Sequence, residues 1–232
     1  EDLEQLYDGL KLACQLHHVD IVGGDTTSSV TGLAISITCI GVADKDQIVY
    51  RNGAKETDLI CVSGDLGAAY MGLQLLEREK AVFEGEEEAN PDFTGKEYLL
   101  ERQLKPEARK DIIEALAKEG IRPTAMMDIS DGIASDLRHI MKASGVGAVI
   151  ALDRLPCSPE LISVCAGQGW DRYELATSGG EDFELLFTGP EGLENELDIN
   201  VYPIGKTVQG NDLIWTVNGR TVNSDYIGYK HF

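Results

Sequence analysis

Residues 59–79, LICVSGDLGAAYMGLQLLERE, hold the reading on which the fold turns. Leu59-Ile60-Cys61-Val62 is a short apolar run of strand length, and Gly64-Asp65-Leu66-Gly67 is turn chemistry. From Ala68 to Glu79 the apolar residues recur at helical spacing. A strand, a glycine-rich turn and an amphipathic helix in succession predict a domain of mixed layers. The same grammar recurs downstream: a strand over 125–129, an Asp131-Gly132 turn and a helix over 133–144, then a strand over 147–152 and a short helix over 159–166. Helical patterns are also expected over 96–104 and 107–119, the latter with Pro106 at its favoured first turn. A strand is expected over 183–188, and two strands, 213–217 and 220–222, flank Asn218-Gly219, the two-residue hairpin signal. The expected class is α/β, mixed α+β.

Upstream, Leu3, Leu6, Leu10, Ala13 and His17 share a helical face, followed by a short strand at 20–22 and the turn Gly23-Gly24. Residues 33–42, LAISITCIGV, form a near-continuous apolar and β-branched run suited to a strand covered on both faces. Residues 44–52 are polar and turn-like, and a domain boundary is placed near 53–57. The acidic stretch 83–94, FEGEEEANPDFT, is expected to be a solvated loop.

Forty acidic against twenty basic residues give a formal net charge of −20. Clustered Lys and Arg are needed to meet a nucleic-acid backbone, so DNA and RNA are poor partners. Carboxylates can still meet a phosphorylated small molecule through a divalent cation. The five cysteines, Cys14, Cys39, Cys61, Cys157 and Cys165, show no CxxC spacing, and Cys39 and Cys61 stand in apolar runs as small hydrophobes; a reduced, cytoplasmic setting is expected. No apolar run has the ~20 residues a membrane-spanning helix needs. The chain opens in a helical pattern without Met, so it is expected to begin partway through a longer protein.

Three segments carry chemistry. In Val22-Gly23-Gly24-Asp25-Thr26-Thr27, glycines admit close backbone approach to phosphate and Asp25 offers a hard oxygen to magnesium, though a capped glycine turn looks the same. In Met127-Asp128-Ile129-Ser130-Asp131-Gly132, two carboxylates three positions apart and an intervening hydroxyl stand before a helix N-terminus whose amides suit a phosphate. Capping by Ser130 or Asp131 would explain only one of the acids. In Ser178-Gly179-Gly180-Glu181-Asp182-Phe183-Glu184, three carboxylates beside a turn fit a metal, a substrate amine or a plain solvated turn. A Walker loop, a protein-kinase glycine loop and a serine-nucleophile elbow are all missing, and His17, His18, His139 and His231 lack ligand spacing. Direct phosphoryl transfer at a carboxylate and metal site requires no catalytic nucleophile, and none is assigned.

Together VGGDTTSS, Arg51-Asn52-Gly53-Ala54-Lys55, MDISDGIASDL, SGGEDFELLFT and the tail from Tyr226 to Phe232 resemble, in order and spacing, the thiamine-monophosphate kinase family. That family shares a superfamily with aminoimidazole ribonucleotide synthetase. The resemblance implies ATP-dependent phosphorylation of thiamine monophosphate with Mg2+. It gives Gly24, Asp25, Arg51 and Ser130 to ATP, Asp25, Asp128 and Asp131 to magnesium, and Glu181 and Tyr226 to thiamine monophosphate. Residues 1–55 are then a remnant of an N-terminal ATP- and magnesium-binding dimerisation domain, and 56–232 a C-terminal domain. The intact parent is expected to be a homodimer, and the 232-residue chain alone to be inactive, because the family's earlier acidic motif is not among its residues. Another ATP-dependent enzyme of the superfamily, or a nonenzymatic nucleotide- or metal-binding fragment, is the alternative.

Overall fold

The structure, a computed structural model, describes residues 2–85, 92–224 and 226–228. Residues 86–91 of the loop expected over 83–94, His231 and the tail from Tyr229 to Phe232 lie outside the described residues. By its internal contacts the chain divides into two units, Glu1–Val42 and Ala43–Phe232.

In the first unit the helical face predicted from Leu3 to His17 forms helix α1, Asp2–His17, with Asp2 and Glu4 in its first turn and His17 in its last, both favourable to the helix dipole. The chain leaves it through His18, in the left-handed region, with the Val19 N–H donating to the Cys14 carbonyl. The two strands expected at 20–22 and 33–42 are not formed. Neither segment has a ladder partner among the described residues, and Leu33, Ile35, Ile37, Ile40, Val42 and Cys39 are exposed. A strand is a property of a pair: β-branched composition supplies the propensity, but a neighbouring backbone must take the N–H and C=O groups. Cys39 is thus not the buried hydrophobe its neighbours promised.

Among the described residues, the second unit is built on a seven-stranded sheet. Its strands are β1 (Leu59–Val62), β2 (Ala125–Asp128), β3 (Gly147–Ala151), β4 (Leu185–Gly189), β5 (Tyr202–Val208), β6 (Leu213–Val217) and β7 (Arg220–Val222), in the order β2-β4-β1-β5-β3-β6-β7. All pairs are antiparallel except β3 with β6. The central strand β1 is buried at all four positions, and its alternation decides which helix it meets. Ile60 and Val62 join one core with Ile133, Leu137 and Ile140 of helix α5 (Ile133–Ser144). Leu59 and Cys61 join the opposite core with Phe187 and with Ile112 and Leu116 of helix α4 (Lys110–Lys118). Burial pushes the Cys61 thiol up to about 12, so it stays an unreactive apolar group. A third core joins α2 (Ala68–Gly85), α3 (Glu97–Leu104), α6 (Pro159–Gln168) and α7 (Arg172–Ser178) through Met71, Leu75, Leu99, Leu161 and Leu175. Among the described residues no helix is long and apolar enough to cross a membrane.

Several boundaries moved for identifiable reasons. Helix α2 runs on to Gly85, so Phe83 to Gly85 are helical and not loop, because nothing between Glu79 and Gly85 breaks a helix. Helix α4 begins at Lys110 instead of Glu107, leaving Pro106 outside it. Arg109 instead sends its guanidinium inward to the Ser63 carbonyl, 2.7 Å away, and to Glu184. Strand β4 begins at Leu185 because Phe183 adopts a left-handed backbone incompatible with the ladder. Helix α7 and strand β5 were not anticipated from the sequence.

Candidate functional site

Asp128 ends β2 directly opposite Leu185, the first residue of β4, so the two loops beyond these positions emerge at one end of the sheet. They are bonded to each other: Phe183 N–H donates to Ile129 C=O at 2.9 Å, Ile129 N–H to Glu184 C=O at 2.8 Å, and Glu181 N–H to Ser130 C=O at 2.8 Å. Gly132, at φ 90°, passes so close to this second loop that a Cβ would stand 2.6 Å from the Gly179 carbonyl and 2.9 Å from that of Thr177. Only glycine meets both demands. The DISDG and SGGEDF motifs are therefore one structure, although about 50 residues separate them in the chain.

Within it the side chains divide sharply. Ile129 is fully buried, Asp128 is exposed, and Ser130 and Asp131 are half-buried. Neither Ser130 nor Asp131 caps α5, whose N-cap is Gly132 without a side-chain bond. The backbone amides of Ser130 and Asp131 donate to the Asp136 carboxylate at 3.0 and 3.1 Å. Burial chiefly pushes the Asp136 carboxyl up to about 6. Those two N–H bonds oppose the shift, and the charges of Asp131 and Asp128 add to it, so all three acids lie within electrostatic reach. Asp136 was missed in the sequence, yet the signal was there: it shares the buried face of Ile133, Leu137 and Ile140.

Of the three acids in the second loop only Glu181 is exposed, and its carboxylate accepts from Gln103 Nε2 at 2.6 Å. Asp182 and Glu184 are structural. Glu184 accepts Ser63 Oγ at 2.5 Å and Arg109 on Oε2, and Arg102 Nη2 at 2.9 Å on Oε1. Asp182 is buried and receives the Gly67 N–H on both oxygens, at 3.0 and 2.9 Å. Burial pushes its carboxyl up to about 7, against the Gly67 N–H and Arg102. The folded protein holds this proton to about pH 7, whereas an unfolded aspartate releases it near pH ~4. The folded state therefore binds more protons between those values, and the group's contribution is complete below about pH 4 and lost as pH rises to 7. Asp182→Asn should gain stability relative to wild type with a slope approaching ~1.4 kcal/mol per pH unit across that window. Parallel urea-unfolding stabilities of the two proteins from pH 4 to 7.5 would contradict it.

Two open clefts hold residues that the sequence singled out. One, of ≈ 600 Å³, is lined by Tyr50, Arg51, Asn52, Met127 and Asp128, and thus brings Arg51 beside Asp128. The Arg51 segment is held there by Met126 N–H donating to Tyr50 C=O at 3.0 Å and by Ser144 Oγ, which accepts the N–H groups of Gly53 and Ala54 at 3.1 Å each. The other, of ≈ 620 Å³, is lined by Arg138, Ile214, Trp215, Val222, Tyr226 and Ile227. There Tyr226 meets Trp215 edge-on at 5.3 Å, and its carbonyl accepts from Arg138 at 2.9 Å. Two residues on, Gly228 presses against the start of α5, where a Cβ would lie 3.0 Å from the Asp131 carbonyl. Residues 226–228 thus close on the DISDG loop.

In the first unit, Gly24 and Asp25 are exposed, and the Asp25 carboxylate accepts the N–H of Thr26 at 2.8 Å, the local bond of a polar turn. Tyr7 and Thr26 hydroxyls stand 3.0 Å apart. Among the described residues no three His, Cys, Asp or Glu side chains converge as a ready-made metal cage.

Residues 55–217 match the family described as AIR synthase related protein, C-terminal domain, and residues 1–43 match its N-terminal domain. The chain is 36% identical to a thiamine-monophosphate kinase of Aquifex aeolicus over 230 residues, 99% of this chain and 69% of that protein. It is 34% identical to that of Salmonella typhimurium, again over 99% of this chain and 69% of the relative. A solved structure of AaThiL complexed with AMPPCP and TMP superposes with a TM-score of 0.75 at 32% identity, covering 99% of this chain and 68% of that one.

Proposed function

The chain belongs to the thiamine-monophosphate kinase family, and we propose that the protein carrying it phosphorylates thiamine monophosphate from ATP by direct transfer at the Asp128–Asp131 segment. What carries this reading is the meeting of that loop with Glu181 and the 226–228 tail at one end of the sheet. The activity converts thiamine monophosphate to thiamine diphosphate, in keeping with the AMPPCP and TMP held by the related structure.

Magnesium fits the donor set. This cation is ordinarily held by one or two carboxylates together with nucleotide phosphates and water, not by an all-protein cage, so Asp128 and Asp131 suffice without a third acid. Bound there, it would neutralise charge on the transferring phosphoryl group. Arg51, exposed in the cleft it shares with Asp128, offers planar paired donors to ATP phosphates, and the Ser130 hydroxyl adds a further polar contact. Gly24 and Asp25 join the nucleotide and magnesium contacts by the family resemblance alone. On the acceptor side, Glu181 and Tyr226 contact thiamine monophosphate, with an aromatic ring suited to the cationic thiazolium. The protein is placed in the cytoplasm and, by the same resemblance, as a homodimer. The division into residues 1–55, part of an N-terminal ATP- and magnesium-binding dimerisation domain, and residues 56–232, a C-terminal domain, belongs to this proposal.

Release of ADP together with thiamine diphosphate tests the reading, with aminoimidazole-ribonucleotide precursors and selenide as competing acceptors. Arg51→Ala should raise KM for ATP by about 10-fold, the worth of one charge-assisted pair, while leaving KM for thiamine monophosphate nearly unchanged. Tyr226→Ala should do the converse. Equal losses toward both substrates in each variant would refute the division of roles.

A further inference from the structure

Asp136 is 1% exposed in the first turn of α5, between the apolar contacts of Ile133 and Leu137. A carboxylate in such a place costs free energy unless its hydrogen bonds return it. One oxygen, Oδ2, accepts two consecutive amides, those of Ser130 and Asp131. On the loop's other edge the carbonyls of Ile129 and Ser130 are taken by Phe183 and Glu181. The backbone of the loop is thus gripped from both sides, with Ile129 buried as its anchor and Asp128 left in solvent.

We propose that Asp136 is a positioning residue for phosphoryl transfer, holding the Ser130 and Asp131 amides inward so that Asp128, Ser130 and Asp131 present their oxygens together. The inference rests on the reading of that loop as the magnesium and ATP contact. Its physical basis is that Asp128 and Asp131 act in concert only while the intervening backbone has one conformation. Without Asp136, two adjacent N–H groups lose their acceptor and the loop is drawn toward water. A displacement of about 1 Å at a reacting site can cost on the order of 10²-fold in rate.

Asp136→Ala and Asp136→Asn separate this role from its rivals. The asparagine oxygen can accept the same two amides, so position is preserved while charge is removed. In Asp136→Ala, amide hydrogen exchange at Ser130 and Asp131 should accelerate by about 10-fold or more. In the same variant kcat should fall by about 30- to 100-fold and the magnesium concentration for half-maximal rate should rise, with KM for thiamine monophosphate within about 2-fold of wild type. Asp136→Asn should restore slow exchange and most of the turnover. Should the alanine variant fail to fold, Asp136→Ser, too short to span both amides, takes its place. Unchanged exchange in the alanine or serine variant, or turnover within about 2-fold of wild type, overturns the proposal. So does an Asp136→Asn protein that is as slow as Asp136→Ala with its amides still protected, for then charge and not position matters. Asp128→Asn run in parallel isolates the underlying reading: full turnover there defeats the magnesium assignment, whereas the exchange rates report on the Asp136 anchor itself.

Discussion

Asp128→Asn should lower kcat for thiamine diphosphate formation by about 10²- to 10³-fold, the scale of losing one preorganised electrostatic contact to a transition state. The side chain is exposed at the end of β2 and, among the described residues, has no recorded hydrogen bond or ion pair. Its backbone pairing with Leu185 does not depend on the carboxylate. Thermal stability should therefore stay within about 0.5 kcal/mol of wild type, as for a surface substitution away from buried contacts. The amide is nearly isosteric but neutral, so it removes the charge that a hard cation requires while keeping the shape of the loop. Turnover should not recover at saturating magnesium. Near-normal kcat in the folded variant, or a loss matched by a large fall in melting temperature, would remove Asp128 from the site.

Glu184→Ala should act in the opposite way, by unfolding the protein and not by touching the chemistry. Glu184 is 3% exposed, and its carboxylate joins Ser63 to two guanidinium groups, Arg102 and Arg109, whose side chains are only 12% and 17% exposed. Removing it leaves two largely buried cations short of a counter-charge, a loss of about 3–5 kcal/mol. In a domain of this size that lowers the melting temperature by on the order of 10 °C. Arg109 keeps its paired contact with Asp111, and Arg102 keeps the Asp182 carbonyl, so collapse is not complete. Glu184→Gln, retaining an acceptor for Ser63, should lose less. A destabilisation under about 1 kcal/mol for the alanine variant would mean that solvent already screens this cluster.

The contrast between Asp128 and Glu184 marks how far the sequence could be read. The apolar run Leu59 to Val62, the apolar face of residues 133–144 and the Asn218-Gly219 hairpin were decided locally, because composition, period and turn chemistry act over a few residues. The motifs that identify the family were also legible, as was the passage from strand to turn between Asp128 and Gly132. What the sequence could not separate was which acids of Glu181, Asp182 and Glu184 meet solvent. That depended on Arg102, Arg109, Gly67 and Gln103, brought in from distant segments. Similarly, the β-branched run over 33–42 announced a strand, but strand formation needs a second backbone, and none of the described residues supplies one. Propensity and periodicity are written residue by residue. Burial, charge pairing and the hydrogen bonds that turn the Ser130 and Asp131 amides inward depend on what lies across the fold, and only the tertiary structure decides that.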